Sequence, residues 1–431
     1  MFSLLKKLLP EPLKNVYHLL QALFGALIFG FPTRKLKVIG ITGTDGKTTT
    51  CYLVNHILNK GGKRSSMIST VEAKIGMERI ETGLHVTTPN PISVQRLLAK
   101  MAKAKSEYAV LEATSHGLAQ ERVAFVNFFI GLVTNVTHEH FDYHKTHRNY
   151  LAAKSKILKG VTYRFLNVDD RSYESLKDQG SGQLVTFGLK NEADFVAKNI
   201  RRDSNLLQFD IESLGKKDQK ISIKSNLIGE FNVYNILAAT AVCRTLGVDQ
   251  ASIASAIEDF KGVPGRMQFI DEGQDFSVVV DFAHTPASLE AALKSLNKIK
   301  KGKIIAIFGC AGERDSEKRP VMGKIATQLA DYCIFTSEDP RREDVNQIIE
   351  QMAKGALSAG AIPNQTFWKI PDRTEAINTA IQRLATGSDI VAIFGKGPEK
   401  SMNIKGKEIP WSDEQTAHTG LKERLKKRLS L

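Results

Sequence analysis

A lysine and a hydroxyl set directly behind two glycines, Gly43-Thr44-Asp45-Gly46-Lys47-Thr48, give this sequence its clearest chemistry. Glycines let a backbone turn with its N–H groups aimed inward. The lysine neutralises phosphate charge, and the threonine hydroxyl can ligate Mg²⁺. Val38, Ile39 and Ile41 precede the turn as a short apolar run that reads as a buried parallel strand. Tyr52, Leu53, Ile57 and Leu58 follow at helical spacing, so the loop opens a helix whose N-terminus favours an anion. The strict Walker pattern wants a glycine where Ile41 stands, so this is a shorter loop. A glycine turn with no ligand is the plainer reading. It accounts less well for Gly-Lys-Thr placed behind an apolar strand.

Three further segments offer ligands. Val110 to His116 leaves Glu112 and His116 at the end of a strand-like run, and Thr134 to His144 packs three histidines and two acids after another. Asn149 to Lys156 reads as a helix that carries Lys154. An oxygen-rich set around a triphosphate suits Mg²⁺, which keeps several waters and takes few protein ligands. Zinc is the competing metal, from the His138-x-His140 and His144-x-x-His147 spacing, but no cysteine lies nearby and a phosphate loop does. An exposed polar loop with no ligand is the plain alternative.

The elements that must hold these residues follow from the rest of the chain. Its 431 residues suffice for two or three domains, and 42% hydrophobic and 25% charged residues are ordinary for a globular protein. Four widely spaced cysteines suggest a reducing compartment and neither disulfides nor a zinc site. A net charge of +14 points to anionic partners: nucleotides, acidic small molecules or a lipid surface. Without a basic-aromatic module or zinc finger, no nucleic-acid partner is expected. The basic tail Lys422–Arg428, with Leu421, Leu425 and Leu429 at helical spacing, reads as a solvated amphipathic end helix. A cytoplasmic monomer is expected, free or at the membrane surface.

Near the N-terminus Val16, Leu19, Leu20, Leu23, Phe24, Leu27 and Ile28 follow helical periodicity. The uncharged run of sixteen residues, Val16 to Phe31, is shorter than the roughly 20 needed to span a bilayer. No small-residue cleavage site follows, so no signal peptide is expected. Residues 1–31 then read either as a helix packed on a domain core, the preferred reading, or as an interfacial helix that meets the membrane with Lys6, Lys7 and Lys14. From 37 to 262, strand-like runs (Tyr108–Leu111, Phe128–Val133, Arg164–Val168) alternate with helices, and 183–228 alternates as an antiparallel subsection should. Gly262-Val-Pro-Gly265 reads as a linker. Beyond it Ser277–Val280, Lys303–Phe308, Tyr332–Phe335 and Ile390–Phe394 give a second doubly wound set. The expected fold is α/β: a P-loop-type central domain with a mostly parallel sheet (37–262), a Rossmann-like doubly wound C-terminal domain (263–431), and an apolar helical segment (1–36) before them.

The chain resembles the Mur ligases, and within them the UDP-N-acetylmuramoyl-tripeptide synthetases, from about residue 36 to 415. The resemblance rests on ordered motifs: Gly43–Thr49, Thr87-Thr-Pro89, Glu112–Arg122, Thr134-Asn…Glu-His-Phe-Asp-Tyr-His144 and Tyr150-Leu-Ala-Ala-Lys154. Further on come Gly229–Asn235, Gly265-Arg-Met267, Val280–Pro286, Phe308–Asp315, Lys318-Arg-Pro320, Thr336–Arg341 and Gly395–Glu399.

That resemblance implies an ATP-dependent ligase of peptidoglycan synthesis. ATP would phosphorylate the D-glutamyl carboxylate of UDP-N-acetylmuramoyl-L-alanyl-D-glutamate, and the amine of an incoming amino acid would displace phosphate from the acyl phosphate. It places Lys47, Glu112, His140 and Lys154 in catalysis, and Thr48, Glu112, His140 and Lys154 around Mg²⁺. Lys154 matches the family's carbamylated lysine, which needs an uncharged amine first; burial favours one. ATP contacts fall on Gly43, Thr44, Asp45, Gly46, Lys47, Thr48 and Thr49, then on Asn232, Asn235, Arg266, Asp281 and His284. Contacts to the acceptor fall on Thr87, Thr88, Thr114, Gln120 and Arg122, whose guanidinium can grip a carboxylate. The amino-acid pocket falls on Arg319, Glu338, Asp339, Pro340, Arg341, Gly395 and Glu399. Two guanidiniums and a carboxylate there suit the zwitterionic end of diaminopimelate, whereas lysine would leave Arg341 unpaired. Domain closure is expected, because ATP contacts lie on both sides of the linker.

Several positions depart from the family pattern. Asp45 replaces an asparagine, Val86 stands before Thr-Thr-Pro where asparagine is usual, and Thr114 replaces a serine. Glu338-Asp339-Pro-Arg replaces Asp-Asn-Pro-Arg, and Pro398 replaces a histidine. The family's uridine-binding N-terminal domain corresponds here to about 35 residues, below typical domain size, so contacts to the UDP end are expected to be reduced. A folylpolyglutamate-like ligase, a lipid-linked acceptor and a weakly catalytic nucleotide-binding partner subunit are the competing readings.

Overall fold

Strand-forming β-branched runs such as Val38-Ile-Gly-Ile41 suit a pleated surface buried on both faces, and they define the two large sheets among the described residues. The computed structural model describes residues 11–81, 88–137, 141–203, 206–214 and 220–429. The chain divides into two compact units, one of residues 1–226 and 230–261, the other of 227–229 and 262–431.

In the first unit the strands are β1 (Lys37–Thr42), β2 (Ser65–Ile68), β3 (Ala73–Ile75), β4 (Glu78–Ile80), β5 (Tyr108–Glu112) and β6 (Phe128–Val133). They continue with β7 (Tyr163–Asn167), β8 (Gln183–Gly188), β9 (Phe195–Asp203), β10 (Leu206–Ser213) and β11 (Lys220–Ser225). Among the described residues they form one sheet, ordered β11-β10-β9-β8-β7-β6-β1-β5-β2-β3-β4. Strands β2, β5, β1, β6, β7, β8 and β9 run parallel to their neighbours in that series. Both edges are antiparallel, β9-β10-β11 on one side and β2-β3-β4 on the other. Strand β1 has β5 on one side and β6 on the other, so the loops leaving all three strands meet at a switch point of the sheet, the usual ligand position in such folds.

Helices on this unit include α1 (Glu11–Ile28), α2 (Lys47–Lys60), α3 (Pro91–Lys103), α4 (Ser115–Ala119), α5 (His147–Ser155) and α6 (Phe231–Thr245). Helix α2 packs on α6 and α1 packs on α3. Helix α1 packs through its small residues. Ala22, Gly25 and Ala26 are buried while Val16, Leu20, Phe24, Leu27 and Ile28 face solvent. Small side chains let two helix backbones approach closely, and that contact outcompetes the larger stripe. No helix among the described residues is long and apolar enough to cross a membrane.

The second unit holds β12 (Gln268–Ile270), β13 (Ser277–Asp281), β14 (Ile304–Phe308), β15 (Tyr332–Phe335), β16 (Phe367–Lys369) and β17 (Ile390–Phe394), ordered β12-β13-β17-β14-β15-β16. Within this six-stranded sheet the β12–β13 pair is antiparallel and the other neighbours run parallel. Helices α7 (Lys318–Leu329), α8 (Arg373–Thr379) and α9 (Asp413–Leu429) bring the side chains used below. Helix α9 begins nine residues before the basic tail, and its Ala417 and Leu421 are fully buried in the core. The end helix is therefore docked, not merely solvated.

Candidate active site

The glycine loop folds as its sequence requires. Gly46 has φ +80°, and a Cβ there would lie 2.2 Å from the Asn235 Oδ1 atom. A Cβ on Gly43 would lie 1.8 Å from Thr134 Oγ1. Both positions exclude any side chain. The loop is tied to the segment after β6: the N–H groups of Thr44 and Asp45 donate to Asn135 Oδ1 at 3.2 and 2.9 Å. Thr134 Oγ1 and Asn135 Nδ2 donate back to the Asp45 carbonyl at 2.7 and 3.1 Å. Lys47 curls over the loop, its Nζ donating to the carbonyls of Gly43 (3.0 Å) and Thr44 (2.6 Å). An ammonium on the loop's own carbonyls is poised to exchange them for phosphate oxygens. Thr49 is buried in the first turn of α2.

Beneath the loop, Thr48 Oγ1 donates to Glu112 Oε1 at 2.9 Å. The N–H and the hydroxyl of Thr70 also donate to this carboxylate, at 2.8 and 2.9 Å. A buried carboxylate beside a threonine hydroxyl at a phosphate loop is the hard-oxygen set that Mg²⁺ takes, so the residues present fit that ion. Thr87 and His140 lie outside the described residues. Among the described residues no group of three His, Cys, Asp or Glu side chains converges as a metal site. On α6, Asn235 and Asn232 sit one turn apart, Asn235 Nδ2 donating to Asn232 Oδ1 at 2.9 Å while Asn235 Oδ1 accepts from Thr50 Oγ1 at 3.4 Å.

The acceptor-side residues also meet. Thr88 Oγ1 lies 3.1 Å from Thr114 Oγ1 and accepts from the Thr114 N–H. Arg122 donates to the Thr88 carbonyl (3.0 Å) and to Gln120 Oε1 (2.9 Å), and Gln120 donates to the Tyr143 hydroxyl (3.2 Å). Burial lowers the Arg122 guanidinium from its ordinary value, with Tyr143 opposing. Lys154 is 1% exposed, its Nζ 4.5 Å above the Tyr150 ring, and the Tyr150 hydroxyl lies 3.0 Å from Thr44 Oγ1. The ring of His144 packs against those of His116, Tyr143 and Tyr150. Sequence motifs singled out neither tyrosine as a site residue, nor Thr70 or Asn135. Thr134-Asn135 stood in a quoted motif at a strand end, which was the available signal.

In the second unit the Asp281 carboxylate accepts the N–H groups of Met267 (2.7 Å) and Ala283 (2.8 Å), fixing the loops that carry Arg266 and His284. The Arg266 guanidinium lies 4.4 Å over the Phe282 ring, and the Phe282 and His284 rings are 4.6 Å apart. At the carboxyl ends of β15 and β17, fully buried Lys396 donates to Asp339 Oδ1 at 2.8 Å and also to Glu399. Glu338 is buried against Gly395, and that burial pushes its carboxyl up to about 7; Asp339 adds to the rise, while Lys318, Lys396 and Arg373 oppose it.

Arg319 is held by protein partners. Its guanidinium is gripped by Glu343 at 2.9 and 3.2 Å and donates to Gln351 (2.8 Å) and the Ala311 carbonyl (3.1 Å). Arg341 follows Pro340 with φ +54° and donates its N–H to the Asn403 carbonyl at 2.9 Å. Arg373 and Asp413 were not anticipated. Fully buried, they pair at 2.7 Å, and Arg373 also donates to the carbonyls of Ser337 (3.0 Å) and Phe394 (2.8 Å), the residues just before Glu338 and Gly395.

Residues 41–243 match the model of the Mur ligase middle domain, and 265–397 that of the Mur ligase glutamate ligase domain. The UDP-N-acetylmuramoyl-L-alanyl-D-glutamate--2,6-diaminopimelate ligase of Halalkalibacterium halodurans is 39% identical over 402 residues, which is 92% of this chain and 80% of that protein. A solved structure bearing the same enzyme name is 30% identical with TM-score 0.63, covering 90% of this chain and 79% of the other. Folylpolyglutamate synthase of Mycobacterium tuberculosis, at 16% identity and TM-score 0.72 over 88% of this chain and 92% of its own, shares the fold.

Proposed function

Since the chain belongs to the Mur ligases, ATP-dependent enzymes that form amide bonds, we propose that it joins 2,6-diaminopimelate to UDP-N-acetylmuramoyl-L-alanyl-D-glutamate in peptidoglycan synthesis. The observation that carries the reading is the Thr48–Glu112 pair directly beneath a loop capped by Lys47. The D-glutamyl carboxylate attacks the γ-phosphorus of ATP, ADP departs, and an acyl phosphate forms. The amine of diaminopimelate then attacks the carbonyl carbon, loses a proton, and phosphate leaves as the amide closes. Lys47 and the loop amides hold and neutralise the phosphates throughout. Thr48, Glu112, His140 and Lys154, the last as its carbamate, would hold Mg²⁺, which when bound neutralises charge on the transferring phosphoryl group. Thr88, Thr114, Gln120 and Arg122 orient the acceptor, and Glu338, Asp339, Arg341 and Glu399 receive the amino acid.

Lysine as the added amino acid is the second reading. Glu343 already occupies Arg319, and Asp339 puts a carboxylate where the family pattern has an amide, so one guanidinium remains for a distal carboxylate. Incubation with ATP, Mg²⁺, the muramoyl dipeptide and a panel of amino acids, read by product mass and ADP release, separates the two. We expect the diaminopimelate adduct; lysine alone as substrate, or no adduct at all, would contradict the proposal.

A further inference from the structure

Helix α1 turns its small residues inward and its large apolar ones outward. A Cβ added at Gly25 would lie 3.3 Å from the Gln95 side chain and the Ile92 backbone of α3, so α1 meets α3 here with its bare backbone. Leu13, Val16, Leu20, Phe24 and Leu27 line the opposite side at helical spacing, with Leu20 59%, Phe24 57% and Leu27 59% exposed. An unbroken apolar stripe of this length on a water-facing helix marks an interaction surface.

Charge decides what the stripe meets. After Glu11, the first residue of α1, the sequence contains no acidic residue as far as Thr44, while Lys14 sits at the start of the stripe and Arg34 and Lys35, both exposed, follow it. Helix α3 is free of acids and adds exposed Arg96, Lys100 and Lys103, of which Lys100 pairs with Glu78. A second copy docked on this face would set basic groups against basic groups. Anionic headgroups over acyl chains complement both features at once. We propose that α1 seats this protein on an anionic membrane surface, lying in its plane with the stripe at the headgroup–acyl boundary. The helix is not long and apolar enough to cross. None of these residues belongs to the ligase machinery, so the inference stands apart from the functional reading.

Co-sedimentation of the full chain with phosphatidylcholine vesicles, alone or with about 30% phosphatidylglycerol, tests it. The protein should pellet with the anionic vesicles and stay in solution with the neutral ones. The double variant Leu20→Glu/Phe24→Glu, altered only at exposed positions, should lose binding about tenfold or more while keeping its circular dichroism and ligase rate. Failure of the full chain to pellet, equal binding to neutral vesicles, or undiminished binding of the double variant overturns the proposal. So does self-association that the double variant abolishes without any vesicle binding, since the partner would then be a second copy.

Discussion

Lys154→Ala should lower kcat/KM by roughly 10²–10³-fold, the scale of removing one group that stabilises charge in a transition state. Lys154→Arg should lose as much. The side chain is almost wholly buried on α5, its Nζ over the ring of Tyr150, whose hydroxyl reaches Thr44 of the phosphate loop. If a carbamate is the working form, arginine keeps a positive charge where an anion is needed and cannot take up carbon dioxide. Steady-state kinetics of both variants at saturating ATP provide the check. Near-normal activity in Lys154→Arg would show that a cation suffices there, and the carbamate assignment would fall.

The second large effect is on stability. Arg373→Ala should destabilise the second unit by about 3–5 kcal/mol, the cost of stranding a buried charge, because Asp413 would keep its carboxylate fully buried without its partner. For a domain of this size that corresponds to a fall in Tm of roughly 6–20 °C. The same guanidinium holds the carbonyls of Ser337 and Phe394, so the turns bearing Glu338 and Gly395 should loosen together. Thermal and urea unfolding measure the effect. A loss below about 1 kcal/mol, the ordinary range for a point substitution, would show that water or a neighbouring cation replaces the arginine.

These two residues illustrate what a sequence shows and hides. Lys154 was legible because it ends a local run, Tyr150 to Lys154, and the phosphate loop because strand, glycines, lysine and helix are consecutive. The parallel strands were legible for the same reason: each apolar run is local, and β1, β5 and β6 lie close to their expected spans. Arg373 and Asp413 are forty residues apart and belong to no motif. Their pairing depends on α8 and α9 packing together, which no window of sequence contains. The Arg319–Glu343 pair was hidden for a related reason: the two residues lie on different segments, and no motif joins them. Periodicity drew the apolar stripe of α1, but which face meets α3 depends on Gly25 and the helix packed against it.

The central claim is that the acceptor carboxylate is phosphorylated before the amine arrives, and isotope transfer reads that step. The muramoyl dipeptide would carry ¹⁸O in both oxygens of the reacting glutamyl carboxylate, and the inorganic phosphate released during ligation would be weighed. An acyl phosphate requires one labelled oxygen to leave with the phosphate while the other stays in the new amide. Phosphate that emerges unlabelled would mean that the carboxylate never received the phosphoryl group.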